Sequence, residues 1–132
     1  MCLSKVTKVN RKPVEKTFYK VFGVKKGQLF NLSWETGAVH FVGEKREEYV
    51  KFKIDVDNDG KIRKYTSGFH GFATKIGAEA WKNHPWIGPY GARKRIFKCR
   101  GLVRTEGYQH CNSKVRKYKS FVADTMEIIG EV

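Results

Sequence analysis

Tyr49-Val50-Lys51-Phe52-Lys53-Ile54, reversed at Asn58-Asp59-Gly60 and followed by Lys61-Ile62-Arg63-Lys64-Tyr65, is the stretch that decides the fold class. Tyr49, Lys51 and Lys53 alternate with Val50, Phe52 and Ile54, the period-two pattern of a half-buried strand, and Asn-Asp-Gly is a turn that returns the chain beside itself. A second hairpin precedes it. Thr17–Val24 is rich in aromatic and β-branched residues, Lys25-Lys26-Gly27 supplies the turn, and Gln28-Leu29-Phe30 starts the return strand. Between the two, Glu35–Glu48 shows no periodicity and reads as irregular.

Downstream, Ser67-Gly68-Phe69-His70-Gly71-Phe72 is a glycine-flanked aromatic run. Lys75–Asn83 is the one convincing helix, with Thr74 as its cap, Ile76 and Ala80 at helical spacing and Pro85 as its stop. A turn-rich segment from His84 to Gly91 leads into a basic strand, Glu106–Ser113 reads as a loop, and a last strand runs from Lys114 to about Ile129. The expectation is an α+β fold: a single domain over residues 1–132, with a mostly antiparallel sheet of about six strands and one or two short helices.

The chain has 132 residues and a net charge of +14, with 40% hydrophobic and 14% aromatic residues. That aromatic content can bury enough surface to offset chain entropy, which excludes a disordered basic tail. No apolar leader or membrane-length segment is present, so a soluble protein of the host-cell cytoplasm with no membrane partner is expected. Cys2, Cys99 and Cys111 are odd in number and lack metal-ligand spacing, so neither a disulfide framework nor a bound metal or cofactor is expected.

Charge is concentrated between Gly91 and Ser120. Arg93, Lys94, Arg95, Lys98, Arg100, Arg104, Lys114, Arg116, Lys117 and Lys119 face one acid, Glu106, in that stretch. Phe97, Cys99, Gly101 and Val103 fall on one face of the strand, and Lys98, Arg100 and Arg104 on the other. A cationic stripe with so few acids beside it in sequence points to a phosphate-rich ligand, and arginine forks suit phosphate. Trp86 and Tyr90 before the stripe, and Tyr108 and Tyr118 after it, are rings on which a base can stack. The candidate ligand-binding residues are therefore Trp86, Tyr90, Arg93, Arg95, Lys98, Arg100, Arg104 and Arg116.

Two other patterns carry less. Asp55-Val56-Asp57-Asn58-Asp59-Gly60 matches the first half of a calcium loop, but position twelve is Thr66 rather than a bidentate glutamate, so an acidic hairpin turn is the reading. His70 with Glu79 or His110 offers a proton-transfer pair for a small ribonuclease, although no spacing demands it.

Tyr19-Lys20-Val21-Phe22, Ser67-Gly68-Phe69-His70 with Phe72 and a short helix, and the ending Val122-Ala123-Asp124-Thr125-Met126-Glu127-Ile128 resemble small phage and prophage proteins beginning Met-Cys-Leu. In size, α+β pattern and basic-aromatic C-terminal half the chain also resembles the first family of Thoeris anti-defence proteins. These are non-enzymatic sponges that sequester cyclic oligonucleotide and cyclic ADP-ribose signals in pockets between subunits. The resemblance implies a homo-oligomer that binds a nucleotide second messenger, with stacking on Trp86 or Tyr90 and phosphate held by Arg100, Arg104 or Arg116. The charge exceeds what a small ligand requires, so DNA or RNA is the alternative partner. A polynucleotide needs a continuous cationic surface and gives steep salt dependence.

Overall fold

The computed structural model describes residues 3–31, 39–40, 42–43, 45–47, 53–58, 60–83, 93–110 and 116–132. In chain order they form β1 (Lys5–Lys25), β2 (Gln28–Asn31), β3 (Val39–His40), β4 (Lys45–Glu47), β5 (Lys53–Asn58), β6 (Lys61–Thr66), β7 (Phe69–Phe72), α1 (Lys75–Lys82), β8 (Arg93–His110), β9 (Lys117–Ala123) and β10 (Thr125–Glu131). Every strand pairing is antiparallel. The mostly antiparallel sheet is as expected. The described residues place eight strands in the main sheet and two in a separate hairpin, beside one helix.

Three long strands make the frame. β1 pairs with β8 from Lys5↔Tyr108 to Val24↔Arg93, and the other edge of β8 pairs first with β10 and then with β9. β9 and β10 are in effect one strand interrupted at Asp124. β7 joins β9 to β1, so β1, β7, β9 and β8 form a closed ring of hydrogen-bonded neighbours. Outside the ring, β2 and β3 extend the sheet from β1, and β4 extends it from β10.

The alternation read from the basic strand holds. Phe97, Cys99 and Val103 point inward with Phe18, Phe22, Phe69, Phe121, Ala123, Met126 and Ile128 to form the main core. A ring this narrow needs room for its aromatics, and Gly71 supplies it: a Cβ there would run into the Phe18 ring. On the outer side, the β5–β6 hairpin covers Leu3, Val6 and Val122 with Val56 and Tyr65. Helix α1 covers Val21, Phe72 and Ile96 with Ala78. Thr74 caps α1 as expected, its hydroxyl accepting from the Gly77 N–H.

Local chemistry explains the turns. Lys26 and Gly27, with φ of 52° and 75°, link paired Lys25 and Gln28 as a two-residue hairpin in which both central residues have positive φ. At the next hairpin Gly60 has φ of 83°, and its N–H is accepted by the Asp57 carboxylate at 3.0 Å. Asp57 thus serves the turn, and Asp55 faces Lys64 at 4.0 Å. Asp59 lies outside the described residues, as do Tyr49–Phe52 of the opening alternation.

Several sequence expectations are corrected. The first strand starts at Lys5, twelve residues before Thr17, because Asn10-Arg11-Lys12-Pro13 bulge out opposite Arg104 alone and so spare Pro13 a place in the ladder. Glu106–His110, expected in a loop, continues β8, with buried Gly107 packed against the Lys5 carbonyl. Val39–His40 and Lys45–Glu47, expected irregular, are short strands. Phe69–Phe72 is the strand that closes the ring.

Candidate functional site

Three arginines of the basic strand already hold carboxylates. Arg100 reaches Glu127 at 3.0 Å and Glu15 at 3.3 Å. Arg104 donates from Nε and Nη2 to the Asp124 carboxylate at 2.9 and 2.8 Å, and Arg95 lies 3.3 Å from Glu131. The hydrogen bond from Arg100 holds the Glu127 carboxyl below its usual range. An open groove of about 440 Å³ lies here, but its charged lining is mixed, Lys45 and Arg100 alternating with Glu15 and Glu127. Of the other expected ligand residues, Arg93 is exposed at the start of β8, Lys98 is half-buried opposite Tyr19, and Arg116 is exposed just before β9. Trp86 and Tyr90 lie outside the described residues.

A different cationic surface is assembled at the other end of β8. The register places Lys5, Tyr108 and Lys119 in one row across β1, β8 and β9, with Lys8, Glu106 and Phe121 in the next row and His110 opposite Lys117. Two-residue alternation puts these rows on one face. Lys16 joins them from beyond the β1 bulge, its ammonium 3.2 Å from Glu106. Five lysines and His110 thus share this face with a single carboxylate, Glu106, among the described residues.

Glu106 organises the surface. Its side chain is only 6% exposed and takes hydrogen bonds from Lys16 at 3.2 and 3.3 Å and from Asn10 at 3.2 Å, with Lys119 at 3.7 Å. Burial pushes its carboxyl up, but the hydrogen bonds from Asn10 and Lys16 and the charges of Lys16 and Lys119 outweigh burial and hold it below the usual carboxylate range. The carboxylate stays ionised and fixes both ammoniums over the Phe121 ring, 5.0 and 5.7 Å from its centroid. Lys117 lies over the half-buried Tyr108 ring at 4.9 Å.

The proton-transfer candidates fare differently. His70 is buried on β7, with Nε2 2.9 Å from the Tyr65 hydroxyl and Nδ1 3.1 Å from the Gly68 carbonyl. The Tyr65 oxygen in turn accepts from the Leu3 N–H at 3.1 Å. This chain of partners assigns the neutral ring, with Nδ1–H donating to Gly68 and Nε2 accepting from Tyr65. Burial, then the nearby Lys20 ammonium, lowers its pKa to about 3. His70 is a structural link, unsuited to exchange protons with a substrate at neutral pH. Glu79 is exposed on α1 and His110 is exposed at the end of β8, whereas His70 is buried with both ring nitrogens on Tyr65 and Gly68. Burial pushes the Cys99 thiol up to about 12, which removes it as a nucleophile. Among the described residues no cluster of three or more histidine, cysteine or acidic side chains could hold a metal, and no helix is long and apolar enough to cross a membrane.

Lys5, Lys8 and Lys16 were missed as site residues because their segment did not read as strand. Lys117, Lys119 and Tyr108 were visible as charge and aromatic content but not as one surface. Comparison of the chain with protein-family models, with curated proteins and with solved structures finds no match.

Proposed function

We propose that the protein is a non-enzymatic nucleic-acid-binding protein that lays a phosphate backbone across the lysine-rich face of β1, β8 and β9. The observation that carries this reading is the charge on that face, five lysines and one histidine around one buried carboxylate among the described residues, spread over three neighbouring strands. Lysines act here as point charges for phosphates that differ in position from nucleotide to nucleotide. Sequestration of a small nucleotide, the reading that the resemblance suggests, asks for donors that can turn onto one ligand. Arg95, Arg100 and Arg104 each already hold a carboxylate.

The test is fluorescence anisotropy with labelled oligonucleotides at 50 and 200 mM salt, beside a panel of cyclic oligonucleotides and ADP-ribose isomers. If about four lysines each neutralise one phosphate of a single strand, log affinity falls with log salt at a slope near −3, roughly a fiftyfold loss across that range. Charge reversal in Lys117→Glu with Lys119→Glu is expected to abolish binding. Saturable binding of one small nucleotide with little salt dependence, and no binding of polymer, would sink the proposal in favour of the sponge.

A further inference from the structure

We infer that the lysine-rich face selects single-stranded over duplex nucleic acid, with Tyr108 as the ring on which one base stacks. The inference rests on the nucleic-acid reading above and deepens it. It starts from two rings on the same face that lie under lysines in different ways.

Phe121 is almost fully buried, and the two ammoniums above it are tied to Glu106. A base cannot reach it without breaking those ion pairs. Tyr108 is half-buried, and among the described residues the one ammonium placed over its ring belongs to Lys117, an exposed side chain with no ion pair there. An exposed ammonium–ring contact is worth about twofold to fivefold in an equilibrium, whereas a base stacked on an aromatic ring is worth about fivefold to 150-fold. The base therefore displaces Lys117 from the ring, and the freed ammonium lies one residue row from the stacked nucleotide, within reach of its phosphate.

The placement of the other charges fits the same occupant. Tyr108 is the middle of a row flanked by Lys5 and Lys119, each about one strand spacing away, about 4.8 Å. A single-stranded nucleotide presents a ring face and a phosphate side by side, which this row can meet together. In a duplex the base faces are already stacked on one another, and only the phosphates remain for the lysines. The ring thus adds affinity for one polymer and none for the other.

The experiment compares a fluorescein-labelled oligo-dT 12-mer with a hairpin duplex of equal phosphate number, by anisotropy at fixed salt. Tyr108→Ala is expected to weaken single-strand binding about tenfold with an unchanged salt slope, and to leave duplex binding within about twofold. Tyr108→Phe keeps the ring face and is expected to bind as the wild type does. Tyr108→Leu keeps apolar bulk without a ring, and shows the same loss as Tyr108→Ala if stacking is the cause. Equal effects of Tyr108→Leu on both polymers, or wild-type single-strand affinity in Tyr108→Leu, would overturn the inference while leaving the parent reading in place. Absence of wild-type binding to either polymer would overturn both.

Discussion

Acid sensitivity of the fold is expected to be set by His70, well above the pH at which carboxylates protonate. The ring is fully buried, and its pKa is about 3 against about 6.5 when unfolded. Between these values the unfolded chain binds a proton that the folded chain refuses, so stability is complete above about pH 6.5 and is lost as pH falls toward 3. From pH 7.5 to 5.0 this group alone removes about 2 kcal/mol, at about 1.4 kcal/mol per pH unit. The structural reason is local. A proton on Nε2 would turn the Tyr65 hydroxyl from donor into acceptor and leave its hydrogen without the partner it has now, beside the Lys20 ammonium that already bonds the His70 carbonyl at 2.8 Å. Glu106 and Glu127 are held below the usual carboxylate range, so their losses come at lower pH and leave this window to His70.

The assay is urea unfolding at pH 7.5, 6.0 and 5.0 for wild type and His70→Gln. A loss of about 2 kcal/mol corresponds to a midpoint shift of roughly 1 M at an m-value near 2 kcal/mol per M. His70→Gln is expected to be less stable at pH 7.5 but to lose markedly less on acidification. Any contribution from other groups is common to both proteins and cancels in the comparison. A His70 ring resonance titrating near pH 6.5 in the folded protein, or parallel pH profiles for the two proteins, would refute the argument.

Three further outcomes follow from packing and charge. Gly71→Ala drives a methyl into the fully buried Phe18 ring, and a loss of about 1–3 kcal/mol is expected in urea unfolding; wild-type stability would mean the ring can shift. Glu106→Gln should lower stability by about 1–2 kcal/mol, since two ammoniums lose their shared anion and a donating amide nitrogen replaces one of the two accepting oxygens, and yet tighten nucleic-acid binding because the face gains net charge. Arg104→Ala, by contrast, is expected to destabilise by about 1 kcal/mol through loss of the Asp124 pair and to change nucleic-acid affinity by less than twofold, measured by anisotropy.

How much of this was legible depends on whether the governing contact was local. The glycine turns at Gly27 and Gly60, the Thr74 cap and the inward set Phe97, Cys99 and Val103 are written in neighbouring residues and were read correctly. The strand halves Lys5–Lys16 and Glu106–His110 were not. In the first, polar residues and Pro13 hide a strand that a bulge makes tolerable. In the second, Thr105, Glu106 and Gly107 are all buried in succession, so burial stops alternating, although the side chains still do, where β1 and β9 close in from both sides. The arginine stripe misled for a related reason. The scarcity of acids was judged along the chain, but Glu15 comes from β1, Asp124 from between β9 and β10, and Glu127 and Glu131 from β10. Antiparallel pairing brings distant acids onto the stripe that near neighbours leave unbalanced.

That redistribution assigns the two kinds of cation to different tasks. Arginine's rigid fork carries several donors, and the sheet uses them to tie β8 to its surroundings: Arg104 puts two on the Asp124 carboxylate, and Arg100 puts one on Glu127 and another on Glu15. The excess charge is then left to lysines, and on the face of β1, β8 and β9 they outnumber acids by five to one among the described residues. Mutual repulsion there would disfavour the fold if all were equally placed. Glu106 resolves this by binding Lys16 and Lys119 at the rim of the apolar core, where a buried carboxylate is most strongly attracted to them. A polyanion laid across the face would offset the same repulsion from outside, so binding and folding are linked: saturating oligonucleotide should raise the urea midpoint, and should raise it more at low salt than at high. The opposite ordering with salt would mean that the lysines of this face are not what the polymer neutralises.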